Sequence, residues 1–409
     1  MRKTILVIGT LDTRGQEIRY LSDRIEENGC KAQIMDVGVL GPSSFQPSIT
    51  RDQVATAAGT TIQEIIDLHH EGKAMSSMAS GVSRIFKDLL EQGRLDGVIA
   101  AGGSMSTSLA LEAMKSLPMG LPKYILSTIA FSPLISPESV PSDLTMMLWP
   151  GGLYGLNSIS ERVLTGAAGA ITGAVKAFST PIGTKRKKLV GITSLGTSQL
   201  KYVETLKPAL KDRGYEVAVF HTVGMGGKAF EEAVSADLVD VALDLSLVEL
   251  VDFVNGGATS CGEYRLTAAA RKGIPQIVAA GGIGHFFWYS GKPLPPTFQQ
   301  RKHHRHNQLL TIVVADKNDK TKVGNLVAER LNLAKGPTAV VVPLKGWIEG
   351  DRHPRSPFHD EEGGKAFASA LKVNLNPNIR VLELDAHIND PIFCDMVLEL
   401  FDEITQALA

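Results

Sequence analysis

The sequence predicts an α/β protein made of two Rossmann-like domains, each a mostly parallel sheet flanked by helices. Three observations carry this. Apolar runs of five to eight residues alternate with helix-period segments, and that alternation specifies parallel strands covered on both faces. Forty glycines suit a fold with many strand-to-helix turns. A basic run, Thr184-Lys185-Arg186-Lys187-Lys188, interrupts the pattern near mid-chain, and the alternation then restarts. The predicted domains are therefore residues 1–183 and 184–409, in line with a prior of roughly 150 residues per domain.

In the first half, Lys3–Gly9 is a predicted strand, Gly15–Asn28 a helix stopped by Gly29, and Ala32–Val37 a second strand. Thr60–Glu71 and Ala74–Gln92 read as helices. Asp96–Ala101 is a strand running into Gly102-Gly103-Ser104, followed by a helix over Ser106–Ser116 and a strand over Lys123–Thr128. Thr145–Trp149 is short and apolar, and Asn157–Phe178 is a long helix rich in Ala and Gly.

The second half opens with a strand over Leu189–Ser194 and a helix over Thr197–Arg213 stopped by Gly214. Further strands are predicted at Glu216–His221, Leu238–Leu245, Gln276–Ala280, Leu309–Val314, Thr338–Pro343 and Arg380–Asp385, and Pro391–Leu408 is the closing helix. Gly41–Thr50, Phe131–Asp143 and Gly291–His306 are Pro- and Ser-rich or basic, and read as inserts outside the sheets. Both halves begin alike, Ile8-Gly9-Thr10 and Leu195-Gly196-Thr197, a weak sign of duplication.

Composition narrows the function classes. Apolar residues at 44% and charged residues at 21% are the balance of a globular protein with a full core. A net charge of −1 argues against nucleic acid or an anionic membrane surface as a partner. Cys30, Cys261 and Cys394 are scattered and odd in number, with no metal spacing and no disulfide framework, which fits a reducing compartment. Met1-Arg2-Lys3 leads directly into a strand with no small-residue cleavage site, and no apolar stretch is long enough to span a membrane. The cytoplasm is the expected location.

In a doubly wound sheet, ligands sit beyond the carboxyl ends of the strands. There the first half delivers Gly9, Thr10, Asp12 and Thr13, then Asp36, then Gly102, Gly103 and Ser104, then Ser127 and Thr128. Glycines and hydroxyls suit an anion, because backbone N–H groups approach phosphate closely and a helix N-terminus adds a favourable dipole. Asp36 lies about 25 residues after the first turn, where an acidic residue holds a ribose hydroxyl. Neither a dinucleotide nor a P-loop fingerprint is present. The plain alternative is that the glycines make tight turns, that Thr10 and Thr13 cap the helix at Gly15, and that Asp12 is a cap rather than a ligand of a phosphate-bound cation.

The second half gathers different chemistry at its strand ends. His221 precedes Gly224-Met225-Gly226-Gly227, Asp244 and Glu249 flank a helix start, and Gly281-Gly282 follow a strand. His359 and Asp360 precede a helix, and Asp385, His387 and Asp390 end the last strand. Such a group could act in acid–base catalysis or hold a metal. The alternative is that Asp360 and Asp390 are N-caps and the histidines anchor loops. The run Arg301-Lys302-His303-His304-Arg305-His306 reads as a solvated loop or an anion clamp.

These motifs together resemble the widespread bacterial and fungal family similar to the ATP-binding inhibitory domain of the plant tomato mosaic virus resistance protein. The matching stretches are Gly9-Thr10-Leu11-Asp12-Thr13-Arg14-Gly15, Ala100-Ala101-Gly102-Gly103-Ser104, Gly155-Leu156-Asn157-Ser158-Ile159-Ser160, Val219-Phe220-His221-Thr222-Val223-Gly224-Met225-Gly226-Gly227, Pro357-Phe358-His359-Asp360 and Glu383-Leu384-Asp385-Ala386-His387-Ile388-Asn389-Asp390-Pro391. The resemblance implies two Rossmann-like subdomains, ATP on the first of them, and a homodimer. It puts the phosphate role on Gly9, Thr10, Asp12, Thr13, Gly102, Gly103 and Ser104. The family's glycine loop continues Gly-Ser-Gly-Gly-Thr, whereas this chain has Gly103-Ser104-Met105-Ser106-Thr107. After Ser127-Thr128 the family runs Val-Ala-Ser-Gly, against Ile129-Ala130-Phe131-Ser132 here.

The expected function is binding of ATP or a related nucleotide with Mg²⁺ in an interdomain cleft, with a small anionic metabolite as substrate if the protein is an enzyme. The alternative is a non-catalytic regulatory module stabilised by nucleotide. An NAD-dependent oxidoreductase rests on Asp36 alone.

Overall fold

The computed structural model describes residues 2–178 and 187–406. The chain divides into two compact units, Met1–Thr184 and Lys185–Ala409. The predicted boundary at 183/184, the start of the basic run and the end of the closing helix lie outside the described residues.

The first unit runs β1 (Thr4–Gly9), α1 (Leu11–Glu27), β2 (Lys31–Asp36), α2 (Arg51–Ala58), α3 (Ile62–Ile66), α4 (Glu71–Glu91), β3 (Gly97–Gly102), α5 (Ser104–Met114), β4 (Lys123–Ser127), β5 (Leu144–Leu148) and α6 (Ser158–Phe178). Its five strands are parallel in the order β2-β1-β3-β4-β5. Strand β1 shows why two helical layers form. Leu6 and Ile8 share a core with Met78, Val82 and Phe86 of α4 and Leu109 of α5. Ile5 and Val7 share the opposite core with Ile18 and Leu21 of α1 and Leu164 and Ile171 of α6. Successive strand residues face opposite ways, so an unbroken apolar run belongs to a strand buried on both sides.

Three departures from the predicted elements have local causes. Helix α1 starts at Leu11, but Arg14 at φ −132°, ψ 21° breaks it, so the regular helix resumes at Gly15. Helix α2 occupies a stretch with no predicted element; Thr50 and Gln53 form a capping box at its start. The predicted helix Thr60–Glu71 is split, because Thr61 and Glu64 close a second box on the five-residue α3 and His69 leaves the helix at φ +46°.

The second unit runs β6 (Leu189–Ser194), α7 (Leu200–Asp212), β7 (Glu216–His221), α8 (Met225–Ser235), β8 (Val241–Ser246), α9 (Val248–Asn255), α10 (Ala268–Lys272), β9 (Gln276–Gly281), β10 (His285–Tyr289), β11 (His303–Arg305), β12 (Leu310–Val314), α11 (Lys317–Leu331), β13 (Thr338–Pro343), α12 (Glu361–Asn374), β14 (Arg380–Leu384) and α13 (Pro391–Gln406). Six strands form a parallel sheet in the order β14-β13-β9-β8-β6-β7. In β9, Ile277 and Ala279 join the core under α7 and α13, while Val278 and Ala280 join the one under α11 and α12.

The predicted strand at Leu309–Val314 is present but belongs to a separate antiparallel sheet, β10-β12-β11. Gly291–His306 is correspondingly not free of sheet, since it contributes β11. The shared start of the two halves extends to the backbone: Gln199 precedes α7 at φ −136°, ψ 21°, close to the values at Arg14. Among the described residues no helix is long and apolar enough to cross a membrane.

Candidate functional site

From β1 the first unit builds outward to β2, then returns to place β3 on the other side, so its switch point lies between the carboxyl ends of β1 and β3. All ten residues expected to hold a nucleotide lie at this edge of one sheet. They fall into two groups.

The first group is spent on the protein itself. A Cβ at Gly9 would lie 2.3 Å from Ile18 Cδ1, and one at Gly102 would lie 2.5 Å from Ser106, so both glycines are required by helix packing. Asp36 is fully buried: Oδ1 accepts from the Leu11 and Gly38 amides at 3.0 and 2.9 Å, and Oδ2 accepts from the Ser43 hydroxyl. Its carboxylate ties down the β1–α1 turn and the returning loop, which corrects the ribose assignment and removes the support for a dinucleotide enzyme. Ser127, also buried, pairs with Thr107 at 2.7 Å and accepts from the Ile129 amide at 3.0 Å.

The second group is not fully committed to the protein itself. Thr10 and Thr13 do not cap α1; their hydroxyls pair at 2.8 Å on the surface. Asp12 Oδ2 accepts from the Leu40 and Gly41 amides at 2.8 and 3.3 Å, while its Oδ1 is buried without a partner. Helix α5 starts after Gly103 with no side-chain cap and no acid in its first turn, so its leading N–H groups lack internal acceptors. Ser104 is exposed at this start, and Thr128 lies alongside, its Oγ1 3.8 Å from where a Gly103 Cβ would be. The two departures from the family's glycine loop turn inward: Met105 packs on the core and Ser106 sits against Gly102. Neither covers the helix start.

In the second unit no hydrogen bond or ion pair among the described residues joins His221 to the other expected acid–base residues. His221 ends β7 at one edge of the sheet, whereas the other candidates follow β13 and β14 at the opposite edge. His387 is 2% exposed and has both ring nitrogens engaged. Nδ1 accepts from the Asn389 amide at 3.0 Å and from Arg352 at 3.2 Å. Nε2–H faces Ile348 O and Asp351 Oδ1, each at 2.9 Å. The hydrogen is assigned to Nε2 because both of its neighbours are acceptors.

His359 donates through Nδ1 to Asp351 O at 3.1 Å. Asp360 caps α12 through the Gly363 amide at 2.9 Å and binds Lys320 at 2.6 Å. Burial works to raise its pKa, but the Lys320 hydrogen bond and charge hold the carboxyl below its usual range. Asp390 accepts from the His387 amide and Arg352, each at 2.9 Å, and exposed Asp385 pairs with Lys345 at 3.2 Å. These are loop and helix anchors; among the described residues the His221 side chain has no such hydrogen bond. No group of three His, Cys, Asp or Glu side chains among the described residues is placed to hold a metal ion.

What sequence reasoning missed is a buried charge network around Arg265, which is fully buried. Its guanidinium grips Asp244 by both Nη atoms, and reaches Glu249 at 2.7 Å and Glu231 at 3.1 Å. Glu249 Oε1 in turn accepts from the Gly224 and Gly227 amides at 2.6 and 3.0 Å. A Cβ at Gly227 would lie 1.7 Å from Glu249 Oε2, so this glycine turn receives the protein's own carboxylate. Burial raises the Glu249 pKa to about 7 against the opposing charge of Arg265, and raises that of nearby Asp252 to about 8. The sequence signal was present: Asp244, Glu249 and Asp252 interrupt apolar runs, and charges there need internal partners.

Two successive doubly wound units define a two-domain Rossmann-like protein. The chain belongs to the uncharacterised protein family UPF0261, whose N-terminal domain model matches residues 3–180 and whose C-terminal domain model matches residues 187–405. It is 42% identical over 399 residues to a UPF0261 protein of Brucella suis, covering 97% of this chain and 94% of that one. A UPF0261 protein of Clostridium tetani is 35% identical, with 96% of each chain covered. The ToMV resistance protein Tm-1(GCR237) of Solanum lycopersicum is 30% identical over 98% of this chain and 56% of its own length.

Proposed function

We propose that the first unit binds the phosphates of ATP or a related nucleotide at its switch point. The observation that carries this is the uncapped start of α5 after β3, with the Thr10–Thr13 hydroxyl pair following the adjacent strand β1. Free N–H groups at a helix start form a ready anion site. Asp12 Oδ1, buried and unpartnered, fits an ionic ligand. Asp12 would hold a Mg²⁺ ion there, whose chemistry is neutralisation of phosphate charge. The hydroxyls of Thr10, Thr13 and Ser104 would orient the phosphate oxygens, and the motif resemblance names ATP. Of the two expected readings, binding without chemistry gains support from His387, whose Nε2–H and Nδ1 lone pair are both taken up by the protein's own groups.

Isothermal titration of the full-length protein with ATP–Mg²⁺ tests this. Ser104→Asp places a carboxylate at the start of α5, where it strengthens the helix by roughly 0.3–1 kcal/mol through the dipole. It is expected to weaken ATP binding about tenfold or more while thermal stability holds or rises. No binding heat at millimolar nucleotide, or equal affinity in the variant, would overturn the assignment.

A further inference from the structure

The start of α13 borders a cleft of about 560 Å³ in the second unit, walled by Lys201, Glu204, Thr205, Arg352, Asn389 and Asp390. We propose that this cleft binds a free α-amino acid in its zwitterionic form. This does not depend on the nucleotide reading.

Asn389 carries the argument. It is 6% exposed, and its Nδ2 donates to Ser198 O at 3.0 Å and Glu349 Oε2 at 3.1 Å, which fixes the amide plane. Its Oδ1 is buried with no partner. A buried acceptor left unsatisfied costs about 1–3 kcal/mol, so the atom calls for a donor from a ligand. The cleft wall then selects the charge of that ligand. Lys201 and Arg352 are cationic, Glu204 and Asp390 anionic. An anion alone would meet two carboxylates and a cation alone two positive groups, whereas a zwitterion satisfies both pairs.

The ligand carboxylate belongs on the cationic side. Arg352 uses Nη1 on Asp390 and Nη2 on His387, which leaves N–H groups on both atoms free to donate. Lys201 binds Glu349 at 2.9 Å and keeps two further N–H donors. The sixteen-residue α13 has no acid in its first turn, Asp390 standing just before it. The ammonium belongs against Asn389 Oδ1, with exposed Glu204 as its counter-charge. His387 is a positioning residue here, since its Nδ1 holds the Asn389 backbone amide.

The experiment is calorimetric titration of the full-length protein near neutral pH with four probes: L-serine, glycine, acetate and methylammonium. Both amino acids are expected to bind at millimolar Kd or tighter, with each single-charge probe roughly tenfold weaker. Asn389→Leu should lower L-serine affinity about tenfold. Should that variant fail to fold, Glu204→Gln on the exposed wall should lower L-serine affinity several-fold at unchanged melting temperature and leave acetate unaffected. Absence of heat from L-serine and glycine at about 10 mM, acetate binding as well as L-serine, or unchanged affinity in Glu204→Gln would each overturn the proposal.

Discussion

Replacing Arg265 with methionine is expected to destabilise the second unit by roughly 3–5 kcal/mol, a large part of the 5–15 kcal/mol that holds a typical domain folded. Methionine fills the space but leaves Asp244, Glu249 and Glu231 facing one another without a cation in a site closed to water. Arg265→Lys should recover little. An ammonium is a single point of charge, whereas the guanidinium reaches three carboxylates and Ser246 O at once. Urea unfolding followed by circular dichroism reads the effect. A midpoint within error of the parent protein for Arg265→Met would show that the network is dispensable.

The second large effect is a dependence of stability on pH set by Asp252. Its Oδ1 accepts from the Thr259 and Phe287 amides at 3.0 and 3.2 Å, while Oδ2 is buried without a partner. Burial raises its pKa from 3.8 to about 8, against the lowering by those amides, and the Glu249 charge adds to the rise. The folded state therefore keeps a proton that the unfolded chain releases above about pH 4. Its contribution is fully present at low pH and is lost as pH rises from about 4 to about 8, where it levels off. A displacement of that size corresponds to roughly 6 kcal/mol between the protonation states. Glu249, raised to about 7, acts in the same direction over a narrower window. Asp252→Asn keeps the amide acceptor and removes the titration. Its melting temperature should fall less between pH 5 and pH 8 than that of the parent, and exceed it at the alkaline end. Parallel pH profiles for the two proteins would refute this.

The strands buried on both faces were legible because their apolar runs leave no other choice; β1, β6, β9 and β13 are of this kind. Strand β11 was not. His303-His304-Arg305 is exposed throughout, and pairs only because Leu310–Val314 returns beside it. Helix α2 has little apolar periodicity in Arg51–Ala58, though Thr50 and Gln53 carried a readable capping signal. At the site, sequence identified the switch-point edge but not which polar groups there are open. Asp36 and Asp12 look alike near strand ends; the Leu11 amide and the loop over residues 38–43 satisfy the first fully, and that loop satisfies the second only by half. His387 looked reactive because its partners, Asp351 and Arg352, come from a segment 35 residues or more away.

The carboxylate of Glu249 in the Gly224–Gly227 turn has a consequence for how the two units meet their surroundings. A group tethered within the same chain competes at an effective concentration that free solutes do not reach. That turn is thus permanently saturated from within, and changes in ambient phosphate or nucleotide leave it untouched. The uncapped start of α5 has no such resident. The Gly224–Gly227 turn is insulated from the anions around it, whereas the start of α5 carries no side-chain cap of its own.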